Sequence, residues 1–117
     1  MARILVVDDN EDIRFIYNKV LTSKGYLVDS AANGKEAMEK FRSNVPDLTI
    51  MDSKLPDSNG LDVIQEIIEI EPDAKILGAT GYSDVGHKFM EAGALKVLEK
   101  PFTLEELIDI VTDILEK

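Results

Sequence analysis

Residues 4–21 read ILVVDDNEDIRFIYNKVL, and within them lies a complete strand-to-helix unit. Ile4-Leu5-Val6-Val7 is an unbroken, β-branched-rich run, the pattern of a strand covered on both faces. Past the polar break at Asp8, Asp9 and Asn10, residues Ile13, Ile16, Tyr17, Val20 and Leu21 follow helical spacing. They form the apolar stripe of an amphipathic helix. Gly25 then stands where a C′ glycine would end that helix.

Outward from this unit the same alternation repeats. Leu27-Val28-Asp29-Ser30 is half polar and reads as an edge strand; Asn33 with Glu36 has the form of a capping box ahead of Ala37, Met38 and Phe41. Leu48-Thr49-Ile50-Met51 is a second buried run. A loop rich in Pro, Asn and Gly (Pro56 to Gly60) precedes a helix on Leu61, Ile64, Ile67 and Ile68, which must stop before Pro72. Ile76-Leu77-Gly78-Ala79 is the fourth strand, its small residues suggesting close packing beneath a site. Ser83 to Glu91 is a weak helix with Gly86 inside it, ended by Gly93. Ala94 to Leu98 makes the fifth strand, and Thr103 with Glu106 caps a last helix on Leu104, Leu107, Ile108, Val111 and Leu115.

Strand and helix thus alternate as (βα)5, which calls for parallel strands and right-handed crossovers. A closed eight-stranded barrel needs about twice the 117 residues present. An α/β doubly wound open sheet remains, and the polar strands, those carrying Asp29 and Lys96, belong at its edges. The resulting strand order is 2-1-3-4-5, with a ligand crevice beyond the carboxyl ends of strands one and three.

Composition narrows the function. Hydrophobic residues make up 44 % of the chain, enough for a real core. A net charge of −10 repels a phosphate backbone, so direct nucleic-acid binding is not expected. With no cysteine there are no disulfides, thiolate metal sites or Cys nucleophiles. The N-terminal apolar run is far too short for a signal peptide or membrane span, so no membrane contact and a cytoplasmic location are expected. The whole of residues 1–117 reads as one domain, and its ending directly after the last helix favours a stand-alone protein.

Asp8 and Asp9 follow strand one and Asp52 follows strand three, so three carboxylates should converge on one crevice. Their repulsion calls for a proton or a cation. All-oxygen ligation suits Mg²⁺, with Mn²⁺ as a second possibility, better than zinc, because the sole histidine, His87, sits on the weak helix. One of Asp8, Asp9 and Asn10 is expected to cap the first helix as well, but capping does not explain Asp52. Thr80 ends strand four with a hydroxyl, and Lys100, just before Pro101, brings a cation from the end of strand five.

With ILVVDD, PDLTIMD, LPDSNG, the Thr80 segment and LEKPF in this order, the whole chain resembles the receiver domain of two-component response regulators, the CheY-like family. The resemblance implies that Asp52 is a phosphoacceptor, that Asp9 binds Mg²⁺ directly and Asp8 largely through water, and that the Lys54 backbone carbonyl is a further ligand. It implies that Thr80 bonds a phosphoryl oxygen, that Lys100 pairs with the phosphoryl group or Asp52, and that the bond before Pro101 is cis. It implies as partners a sensor histidine kinase or histidine phosphotransfer protein as donor, and a downstream protein target on the face made by the fourth helix, fifth strand and fifth helix. Such a domain is not an enzyme in the usual sense, since it acts only on its own phosphorylation and dephosphorylation. The chemistry suits the residues. A carboxylate attacks phosphorus when charge on the incoming group is neutralised, and in-line transfer needs positioning more than a histidine base.

Val97 stands where many receivers carry an aromatic residue, a departure from the aromatic part of the usual switch that leaves Thr80 able to move toward the phosphate. Lys54 and Tyr82, each two residues beyond Asp52 and Thr80, flank the mouth of the site, a pairing similar to the single-domain phosphorelay intermediates of sporulating bacteria. Competing classes fare worse. An aspartyl-phosphate phosphatase needs Asp-x-Asp after strand one, and Asp8 and Asp9 would repel a flavin phosphate. A degenerate receiver serving as a phosphorylation-independent docking module is the remaining alternative, and the intact acid set argues against it.

Overall fold

The computed structural model describes residues 1–116. The elements run β1 (Arg3–Val7), α1 (Glu11–Ser23), β2 (Leu27–Ala31), α2 (Gly34–Ser43), β3 (Leu48–Asp52), α3 (Gly60–Ile70), β4 (Ile76–Thr80), α4 (Ser83–Ala92), β5 (Lys96–Glu99) and α5 (Leu104–Leu115). All strand pairs are parallel, and the sheet order is β2-β1-β3-β4-β5. Burial follows that order: every residue of β3 and β4 is buried, whereas the edge strands β2 and β5 are mostly half-buried or exposed.

Two apolar layers clasp the sheet. On one face Phe41, Ile64, Ile67 and Phe89, from α2, α3 and α4, pack on Leu5, Val7 and Met51. On the other, Tyr17 and Leu21 of α1 meet Leu107 and Val111 of α5 over Ile4, Val6, Ile50 and Leu77. Removing such side chains from water, at about 25 cal/mol per Å² of apolar surface, is what pins the helices to the sheet.

Helix ends follow the sequence closely. Asn10, Asn33 and Asn59 each accept the backbone N–H three residues on, capping α1, α2 and α3. Both halves of the Thr103–Glu106 capping box form at α5. Gly25, at φ 93°, closes α1, with the Tyr26 N–H bonded to the Leu21 carbonyl and the Gly25 N–H to that of Thr22.

The structure corrects several expectations. Only the Asn33 half of the second capping box forms, because the Glu36 carboxylate lies 3.6 Å from Lys40, one turn further on. Ile16 is 41 % exposed, its side chain lying outside the strip that α1 buries with Tyr17 and Leu21. Val63 joins Ile64 and Ile67 inside, while Leu61 and Ile68 are only partly covered. β5 starts at Lys96 and not at Ala94; Ala94 still belongs to the helix end, its N–H bonded to the Phe89 carbonyl. Gly78 does make room, but for the ring of Phe89: a Cβ there would stand 2.4 Å from Phe89 Cδ2.

Candidate functional site

A parallel sheet delivers the ends of β1, β3, β4 and β5 to one edge, and the polar residues at those ends meet there. Asp8, Asp9 and Asp52 each present a carboxylate oxygen within 4.8 Å of the others, close enough to hold a metal ion together. Asp8 and Asp52 are buried and Asp9 is exposed. The Lys100 ammonium stands 3.0 Å from Asp52 Oδ1 and 3.6 Å from Asp8 Oδ2. The Lys100–Pro101 peptide bond is cis.

Local structure explains this placement. The Asp8 backbone N–H donates to the Ala31 carbonyl, extending the β1–β2 ladder, and its carbonyl accepts from Arg14 on α1 at 2.7 Å. Asp8 Oδ1 accepts the Asn10 N–H at 2.9 Å, so Asp8 is tied to the turn while Asn10 is the true cap of α1. The Lys100 N–H donates to the Thr80 carbonyl at 2.7 Å, carrying β4–β5 pairing one residue past the strand.

One ammonium among three carboxylates leaves the cluster net negative, which shows in its proton affinities. Burial pushes the Asp8 carboxyl up, against the Asn10 N–H, and the neighbouring Asp52 charge pushes it further. Burial pulls Lys100 down, but Asp52 and Asp8 outweigh it and hold the ammonium above its ordinary value. Beneath the cluster, burial and the Asp8 and Asp52 charges raise Tyr17 and keep its phenol neutral. Carboxylates crowded to this degree suit a divalent cation with oxygen ligands.

Above the cluster opens a cavity of about 470 Å³ lined by Asp9, Asp52, Ser53, Lys54, Gly81, Tyr82 and Lys100. Lys54 and Tyr82 meet across it: Lys54 Nζ donates to the Tyr82 hydroxyl at 3.0 Å and sits 4.7 Å from the ring centroid. An antiparallel bridge pairs Lys54 with Asn59, closed by Gly60 N–H to Ser53 O and Leu55 N–H to Ser58 O. That pairing uses neither the amide nor the carbonyl of Lys54 itself.

Thr80 ends β4, as the sequence leads one to expect. Its side chain is buried and is not part of the cavity lining, donating from Oγ1 to Ser53 Oγ at 3.1 Å and accepting the Tyr82 N–H at 3.2 Å. With Tyr82, Gly86, His87, Met90, Val97 and Glu99 it lines a second hollow of about 250 Å³. Val97 and Gly86 are in close contact there, since a Cβ on Gly86 would lie 3.2 Å from Val97 Cγ1.

Ser53 is a site residue that the sequence reading passed over; its only signal is a polar side chain directly after Asp52 in an otherwise apolar strand end. Asp57 was missed too. Its carboxylate accepts the Gly34 and Lys35 N–H groups at 2.8 and 3.0 Å, and those bonds hold its pKa below the usual carboxylate range. It thereby fastens the loop after Asp52 to the start of α2.

Comparison with known proteins decides what this arrangement is. Residues 4–112 match the family model described as the response regulator receiver domain. The chain belongs to that family. This receiver domain is 36 % identical over 115 residues to the chemotaxis protein CheY of Thermotoga maritima, covering 96 % of each chain. It is 33 % identical over 111 residues to sporulation initiation phosphotransferase F of Bacillus subtilis, covering 93 % of this chain and 90 % of that one. Among solved structures it is similar to the response regulator TrrA of Thermotoga maritima in complex with Mg(2+)-BeF, at a TM-score of 0.90 and 40 % identity, covering 98 % and 100 % of the two chains. These values do not rank a chemotaxis-type relative above a sporulation-type one. They do set aside the flavin-carrier and phosphatase readings of the same topology. No helix among the described residues is long and apolar enough to cross a membrane.

Proposed function

We propose that this receiver domain accepts a phosphoryl group on Asp52 from a phosphohistidine partner, a sensor histidine kinase or a histidine phosphotransfer protein, and signals through the change that follows. The observation that carries this reading is the buried Asp52 carboxylate, held by Lys100 at 3.0 Å inside a cluster of three acids. Asp8, Asp9, Asp52 and the Lys54 backbone carbonyl are the groups that would hold Mg²⁺ or Mn²⁺. A bound divalent cation supplies charge neutralisation for the incoming phosphoryl group.

The remaining work falls to side chains. An Asp52 oxygen forms a bond to phosphorus as the phosphorus–nitrogen bond to the donor imidazole breaks, the electron pair leaving with the imidazole. Lys100 lies where negative charge develops and stabilises it, with Thr80 as the hydroxyl donor once it turns toward the cavity. In-line transfer to a carboxylate needs positioning and charge stabilisation more than a general base. The activity is confined to the domain's own phosphorylation and dephosphorylation, and the α4–β5–α5 face is the output surface. A single receiver occupying residues 1–117 suits this role, in the cytoplasm with its kinase.

Incubation with a small phosphodonor tests the reading. A mass gain of one phosphoryl group is expected with Mg²⁺ and none after chelation; no gain under either condition would overturn it. Mg²⁺ alone should stabilise the fold by about 2.7 kcal/mol at a hundredfold excess over its dissociation constant, because it binds the assembled acids and not the unfolded chain. A melting temperature indifferent to Mg²⁺ would count against the metal ligands named here.

The Lys54–Tyr82 bridge bears on how long the phosphoryl group lasts. Loss of the group requires water to approach phosphorus in line, opposite the bond to Asp52. Lys54 and Tyr82 reach across the cavity mouth, and neither offers a carboxylate or amide to orient that water. Lys54→Asn, alone or with Tyr82→Glu, is expected to speed autodephosphorylation several-fold, on the order of 1 kcal/mol of barrier. Loss of phosphate from purified phosphoprotein in Mg²⁺ measures it. Unchanged or slower decay in both variants would remove the gate and leave the acceptor assignment standing.

A further inference from the structure

Two buried hydroxyls face each other beside the acid cluster, and only one of them borders the cavity. Ser53 lines the space above Asp52 and Thr80 does not; Thr80 Oγ1 donates to Ser53 Oγ and accepts the Tyr82 N–H. Thr80 is 1 % and Ser53 8 % exposed, so water does not compete freely for this bond. A threonine so engaged has its one hydroxyl hydrogen committed, and it must let go of Ser53 before donating elsewhere.

We propose that Ser53 is a positioning residue that holds Thr80 in the resting arrangement, so that activation is an exchange in which the Thr80 hydroxyl leaves Ser53 Oγ for an oxygen of the phosphoryl group. The inference rests on the reading of Asp52 as acceptor and Thr80 as the responding hydroxyl, and adds the group that opposes the response. Its strength is set by the kind of bond. One neutral hydroxyl–hydroxyl hydrogen bond biases an equilibrium by several-fold, enough to keep the resting state dominant without locking it. Backbone geometry keeps the two hydroxyls adjacent. Ser53 continues from Asp52, whose Cα pairs with Ala79 in the β3–β4 register, and Thr80 follows Ala79. The Tyr82 N–H stays with the Thr80 side of the pair, so the same exchange would disturb the loop that carries Tyr82 over the cavity.

The test uses the full chain and Mg²⁺ with beryllofluoride, a mimic of the phosphoryl group that does not turn over. Ser53→Ala removes the acceptor that restrains Thr80 and is expected to tighten beryllofluoride binding several-fold while Mg²⁺ affinity stays at the wild-type value. Ser53→Thr, which keeps a hydroxyl, should restore wild-type beryllofluoride affinity. In a Thr80→Val background the Ser53→Ala change should have no effect on that affinity, because the bond it relieves is already gone. A purely structural role would lower the melting temperature and leave the affinity alone. Unchanged or weaker beryllofluoride binding in Ser53→Ala, or an equal effect in the Thr80→Val background, would overturn the proposal. Failure of the wild-type chain to bind beryllofluoride with Mg²⁺ would instead overturn the acceptor reading beneath it.

Discussion

Asp52→Asn is expected to abolish the phosphoryl mass gain completely while leaving the fold intact. Asparagine has the same shape, and its carbonyl oxygen can still accept the Lys100 ammonium now 3.0 Å from Asp52 Oδ1. What it lacks is a nucleophilic carboxylate. It also removes one of three negative charges whose oxygens lie within 4.8 Å. In metal-free buffer the variant should therefore melt at or above the wild-type temperature, by on the order of 1 kcal/mol of relieved repulsion. The two readouts separate chemistry from folding: a lost label with an unharmed melt is the signature of a reacting group. Undiminished labelling of the variant would mean that another residue is the acceptor.

Gly60→Ala should damage stability more than any surface change. A Cβ at Gly60 would stand 2.0 Å from the Asp52 carbonyl oxygen and 3.0 Å from the Phe89 ring. The first of these is backbone in the central strand and has nowhere to go. The Gly60 N–H also donates to the Ser53 carbonyl at 2.9 Å, pinning the start of α3 against the end of β3. Forcing these apart should cost about 3 kcal/mol, a fall of roughly 10 °C or more in melting temperature. Gly34→Ala is the informative comparison. Its nearest obstacle, at 2.5 Å, is the Ser58 hydroxyl, the end of an exposed side chain that can rotate away, so the loss should be far smaller. Equal melts for the two variants would contradict the close approach of α3 to Asp52.

The ease with which these elements are read from sequence has a physical basis. Central strands such as Leu48–Met51 are covered on both faces and must be continuous apolar runs, while helix ends carry their Asn, Thr and Gly where orphaned backbone groups need them. Once parallel strands are inferred, the convergence of Asp8, Asp9, Asp52 and Lys100 follows, because parallel strands end on the same side. Local pattern misleads where burial is decided by a distant partner. Ala94 and Leu95 continue the apolar run of β5, yet Leu95 is 48 % exposed and Ala94 serves the end of α4. The same holds within the site. A serine after Asp52 reads as a loop residue until the fold buries it against Thr80. Likewise Asp57 reads as turn chemistry until α2 arrives with two N–H groups for it to accept. Lys54 and Tyr82 were legible as neighbours of the mouth; their mutual bond joins two loops far apart in the chain and was not.

The central claim is that a phosphoryl group comes to rest on Asp52, and borohydride trapping tests it most directly. After incubation with a phosphodonor and Mg²⁺, borohydride converts an aspartyl phosphate to homoserine, and fragment masses then locate the altered residue. Homoserine at position 52 alone, and none when Mg²⁺ is withheld, is the predicted result. A label at another residue, or no conversion anywhere while a phosphoryl mass gain persists, would contradict it.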